Sequence, residues 1–188
     1  MLFRKNREFG PILRRFLVNT LFDSTFMQLG IIIGSSSATN PDLRLVIGTL
    51  ISSSVALGIS TGVSVYESET LERERRIAEL EKALFRNLDN TMIIENYRTY
   101  AAILSLVNFL TPFACCSIVS IPLILATVGL LSISAASWAS AISALGVIFV
   151  VGGYLGRRGR QNPLIKGIKM TAFGAIAFAV GFLVQTFI

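Results

Sequence analysis

Residues 99–156 read TYAAILSLVNFLTPFACCSIVSIPLILATVGLLSISAASWASAISALGVIFVVGGYLG, and these 58 residues contain no Asp, Glu, Lys or Arg. About 20 apolar residues cross a hydrocarbon core once. The uncharged run therefore holds two crossings, and the chain is read as an integral membrane protein. Backbone N–H and C=O groups in lipid must be bonded within the segment, so the crossings are helices. The whole chain agrees. Of its 188 residues, 53% are hydrophobic and 15% charged, against about 25% charged in a soluble domain.

Across the chain five spans are expected, at about 16–36, 43–66, 99–122, 131–156 and 166–187, each near the ~20 residues of a crossing. The fold class is all-α, with five transmembrane helices. Asn40-Pro41 and Asn162-Pro163 each place a capping side chain before a proline suited to a first helical turn. Pro112 and Pro122 fall within or at the end of span three, where a proline frees a carbonyl that protein or water must satisfy. MLFRKNREFGPILRRF is basic but has no apolar core before Arg15, so it does not read as a cleavable signal.

Sixteen of the 17 basic residues fall in three segments: the N-terminus to Arg15, the stretch from Arg73 to Arg98, and Arg157 to Lys169. Arg44 is the exception. Five spans put those three segments on one side, which the positive-inside rule makes cytoplasmic. The N-terminus is then cytoplasmic and the C-terminus on the opposite side. The net charge of +6 is a record of topology, and no nucleic-acid partner is expected. The chain divides into 1–66 (basic segment and spans one and two), 67–98 (a cytoplasmic helical segment) and 99–188 (spans three to five).

No break separates span two from YESETLERERRIAELEKALFRNLDN. Leu71, Ile77, Leu80, Leu84 and Leu88 recur at helix-like spacing, and Glu69 and Glu72 each precede an arginine by four residues. Span two is therefore expected to continue into the cytoplasm as one long helix, over 67–90. Gly30/Gly34, Gly58/Gly62 and Gly152/Gly156 are each four apart, the spacing at which membrane helices approach closely.

Asp23 is the only charged residue between Phe16 and Ser36. Intramembrane carboxylates are costly and usually functional; the structural alternative is a cap on a neighbouring helix or a pair with an inward-reaching arginine. Asn19 and Met27 lie one turn to either side on the same helix face. Carboxylate, amide and thioether together suit a divalent transition metal. Glu67 at the membrane edge is a further metal candidate. Thr61, Ser64 and Asn108 are candidate ion-path residues, although membrane hydroxyls mostly bond back to their own backbone. The chain has no histidine, and nothing near Cys115 reads as a base for a nucleophile. Enzyme activity is not expected. The adjacent Cys115 and Cys116 read as small buried residues.

LFDSTFMQLGIIIGSSS, GISTGVSVYESETLERE and GGYLGRRGRQNPLIKGIKMTAFGAIAFAVGFLVQTFI resemble the first span, the second span and the closing segment of the vacuolar iron transporter family. Pro112 and Pro122 are similar to prolines of its third span. The resemblance implies a homodimer of five-span subunits that moves iron(II), manganese or a similar divalent cation out of the cytoplasm, in exchange for protons. The metal is cargo, and no resident cofactor is implied. Asp23 matches the family's transport aspartate. The family's pore methionine falls on Thr61, its glutamate before the tyrosine falls on Val65, and its cytoplasmic metal-binding segment is shortened to the 32 residues Glu67–Arg98. A compact chain with a short cytoplasmic segment fits a cell membrane better than an organelle. The rival expectation is a non-transporting membrane scaffold that acts through the cytoplasmic helix.

Overall fold

The computed structural model describes residues 2–36, 42–85, 92–159 and 161–187. They form five α-helices: α1 Leu2–Ser36, α2 Leu43–Leu84, α3 Met92–Thr127, α4 Ile133–Arg158 and α5 Pro163–Thr186. Each is long and apolar enough to cross a bilayer, and the described residues contain no strand. The chain is an integral membrane protein with lipid-contacting helices.

α1 and α3 outrun the expected spans at 16–36 and 99–122, while α4 is shifted by two residues from 131–156. α1 begins at Leu2, so the basic N-terminal segment is helical and carries Pro11 in its interior. α2 has 42 residues and runs past its apolar part without a break. It stops at Leu84, short of the expected residue 90, because Phe85 takes a left-handed conformation with φ 50°. The expected continuation over 86–90 lies outside the described residues, as does the Asn40-Pro41 cap. Asp42 is the observed α2 cap, accepting from the Arg44 N–H at 2.9 Å. Asn162 caps α5 with Pro163 in its first turn, as the sequence implies.

α3 is the hub, packed against α1, α2 and α4. On one side, Leu29 and Ile32 of α1 meet Val119 of α3 and Ala144 and Ile148 of α4. On the other, Val46 and Leu50 of α2 meet Cys116 and Leu123 of α3 and Ala136 of α4. Cys115 and Cys116 are free and buried. Small residues allow the closest approaches. A Cβ on Gly58 would lie 2.7 Å from the Phe109 carbonyl oxygen, and one on Gly62 3.2 Å from the Phe109 Cβ. Ser105 Oγ also donates to the Gly62 carbonyl at 2.7 Å. Rising numbers on α2 thus meet falling numbers on α3, so the two run antiparallel. Gly152 and Gly156 abut Gly167 and Pro163 of α5 in the same way. The Gly30/Gly34 pair differs: a Cβ at either position meets nothing within 4 Å.

Candidate functional site

Two polar stripes run side by side on α1, and their fates are opposite. Thr20, Ser24 and Gln28 are spaced by four and buried against the bundle, at 3%, 0% and 0% exposure. Asn19, Asp23 and Met27 are offset by one residue, about 100° around the helix. Asn19 and Asp23 are exposed and Met27 is half-buried. Asn19 Nδ2 donates to Asp23 Oδ2 at 3.1 Å, so amide and carboxylate form a local pair. The same face continues through Gly30 and Gly34, both exposed. Asp23 lies eight residues beyond Arg15, about 12 Å along the axis at ~1.5 Å per residue. That depth is beyond the reach of a simple helix-end position.

The inner stripe grips α3 around its proline. A helical proline leaves the carbonyl four residues earlier without its usual donor; for Pro112 that carbonyl belongs to Asn108. Thr61 Oγ1 of α2 approaches it at 3.4 Å, while also bonding its own helix at Leu57 O, 2.9 Å away. Asn108, fully buried, accepts from Thr20 Oγ1 at 2.9 Å and donates to Leu104 O at 2.8 Å. Gln28 Nε2 reaches Pro112 O at 3.4 Å and Ser54 Oγ at 3.5 Å. Three helices are therefore tied together by neutral polar groups around Pro112, one of the two prolines inside α3. Thr61 and Asn108 are brought together, and their polar atoms are engaged in these ties.

Ser64 and Glu67 are exposed on α2. They sit apart from the inner stripe, and no bond joins them to Asp23. Among the described residues no three His, Cys, Asp or Glu side chains cluster as a metal site. Within one chain, Asn19 is the side chain bonded to Asp23, and Met27 lies one turn further along the same helix face. Thr20, Ser24 and Gln28 were not singled out from the sequence. Their spacing of four on α1 was the available signal, masked by the charge of Asp23 beside them.

At the basic end of the bundle, α1 meets the extension of α2. Glu69 is 7% exposed, with Arg73 Nε 3.9 Å from its carboxylate. Arg76 Nε bonds Glu72 Oε1 at 3.1 Å. Both pairs have the spacing of four read from the sequence.

No family model matches the chain, and no solved structure matches it. The chain is similar to an uncharacterized protein of Methanocaldococcus jannaschii, 25% identical over 169 residues, which cover 88% of this chain and 84% of that protein. The likeness thus extends over most of the five-helix architecture.

Proposed function

We propose that the protein is a homodimeric transporter or exchanger of divalent metal cations of the iron(II) or manganese type, coupled to protons, that moves metal out of the cytoplasm across the cell membrane. The observation that carries this reading is the exposed Asn19–Asp23 pair, well inside the apolar part of α1. An aspartate at the centre of a membrane helix costs about 2.5–3.5 kcal/mol on insertion scales. Facing a second copy removes it from lipid. The open Gly30/Gly34 surface on the same face supports close approach of two α1 helices there. Two Asp23 carboxylates across such an interface supply the charge a divalent ion needs. Met27 and Asn19 add a soft and a neutral donor, and the exposed Glu67 and Ser64 of α2 stand on the approach from the cytoplasm.

Metal uptake into proteoliposomes tests the reading, with wild type beside Asp23→Ala and Asp23→Asn, offering iron(II), manganese, zinc, cobalt and calcium in turn under a pH gradient. Flux in the wild type that falls to background in both variants, with dimers intact, is expected. Undiminished flux in Asp23→Asn would remove the carboxylate mechanism.

One observation favours a second reading, a scaffold acting through its projecting helix. Leu71, Leu80 and Leu84 are 60%, 49% and 59% exposed on the α2 extension, an unusual outlay of apolar surface on a polar helix. A protein that co-purifies with wild type, is lost when these leucines become serine, and is indifferent to Asp23→Asn would support the scaffold.

A further inference from the structure

A cavity of about 390 Å³ lies between α1 and the extension of α2, and its charged wall is formed by Arg15, Glu69, Glu72, Arg73 and Arg76. That volume falls in the range of small-ligand sites, about 300–1,000 Å³. Ile12 and Phe16 of α1 add apolar lining. Three guanidinium groups against two carboxylates leave a net charge of one positive.

Both α2 arginines of the wall are engaged through Nε, Arg73 with Glu69 and Arg76 with Glu72. The forked terminal amino groups of both remain to reach a ligand. Arg15 forms no ion pair with a described residue; its guanidinium lies 5.2 Å from the centre of the Phe16 ring. The Glu69 side chain is 9% exposed, so a carboxylate is built into the wall rather than left at the rim. A bare divalent cation is opposed by three guanidiniums. A simple anion is served by the arginines but repelled by Glu69 and Glu72. The wall instead fits a ligand that carries both signs a few ångströms apart.

Position supplies the rest. Arg15 is the last charged residue before the apolar run of α1, and Glu67 is the first after that of α2. The cavity therefore lies at the polar boundary of the membrane, where phospholipid headgroups lie, and Phe16, the α1 lining residue nearest the apolar run, is on its acyl side. We propose that it is a binding site for the headgroup of an amine-bearing phospholipid, of the phosphoethanolamine class. The phosphodiester is taken by Arg15 together with the free forks of Arg73 and Arg76, where charge-assisted, forked contacts are strongest. The ammonium N–H groups donate to Glu69 and Glu72. A choline headgroup has no N–H to donate, and a glycerol headgroup has no positive charge, so both leave the carboxylates unmatched. Neither the metal path nor the dimer enters this proposal.

Native mass spectrometry of the delipidated, full-length protein tests it, with dioleoyl phosphatidylethanolamine, phosphatidylcholine and phosphatidylglycerol added at equal concentration. Wild type is expected to retain the ethanolamine lipid about tenfold over either of the others, a difference of about 1.4 kcal/mol. Arg15→Gln is expected to lower retention of all three. Glu69→Gln is expected to erase the preference for ethanolamine while phosphate-dependent retention persists; Glu72→Gln gives the same readout from a half-exposed position if the buried change impairs folding. Soluble glycerophosphoethanolamine distinguishes the source of the ligand: failure to displace the bound lipid at equal concentration fits a bilayer lipid, and full displacement would overturn it in favour of a soluble phosphoester. Equal retention of the three lipids by wild type, or an ethanolamine preference that survives both glutamate substitutions, would also overturn it.

Discussion

Gly58→Ala reads the α2–α3 contact directly. The added methyl carbon would sit 2.7 Å from Phe109 O and 3.1 Å from Phe113 Cε2. The first neighbour is backbone and cannot rotate away, so α2 and α3 have to separate by several tenths of an ångström. Overpacking of this kind costs about 1–3 kcal/mol. Alanine also gains about 0.5–1 kcal/mol over glycine in a helix. The net loss is then about 0.5–2 kcal/mol, up to roughly a thirtyfold change in the unfolding equilibrium at ~1.4 kcal/mol per tenfold. Gly62→Ala places its carbon 3.2 Å from Phe109 Cβ, which moves only with the α3 backbone but needs a smaller shift than the 2.7 Å contact, so it should cost less than Gly58→Ala. Gly146→Ala on α4 meets nothing within 4 Å and should stabilise. Reversible unfolding in mixed micelles, followed by helical circular dichroism, ranks the three. If Gly58→Ala is as stable as Gly146→Ala, the close crossing of α2 and α3 is wrong.

Asn108→Leu removes the acceptor for Thr20 and a buried bond to Leu104 O; it should cost about 1–3 kcal/mol in the same assay. Thr61→Val should cost less, about 0.5–1.5 kcal/mol, and less again in a Pro112→Ala background, where a restored N–H satisfies Asn108 O; equal costs in the two backgrounds would refute the role given to Thr61. Gly30→Leu enters open space within one chain, so monomer stability should hold while the fraction of the proposed dimer, counted by subunit photobleaching in liposomes, falls severalfold.

Much of the architecture follows from hydropathy and charge alone. A 58-residue uncharged run admits few structures in lipid, because every backbone polar group there must bond within its own helix. The same logic made the length of α2 legible: nothing in GISTGVSVYESETLERE breaks a helix, so it runs from the apolar part into the polar part. Helix ends were less legible. α2 stops at Leu84 through the backbone conformation of Phe85, a residue type that carries no stop signal.

The sequence by itself determined that five apolar helices exist, that Asn162 and Pro163 start the last one, and that Asp23, Asn19 and Met27 share a face, since these depend only on composition and a period of about 3.6 residues. Tertiary structure alone decided which way that face points. Asn19 and Thr20 are neighbours in sequence and both polar, yet one is exposed and the other is buried against Asn108. Periodicity defines stripes around a helix but not the direction of its neighbours, and only the packing of α1 on α3 assigns one stripe to the interior and the other to the outer surface. The same is true of the glycines: three pairs share one spacing, and two of them meet another helix while Gly30 and Gly34 face open space, because contact depends on where the partner helix lies.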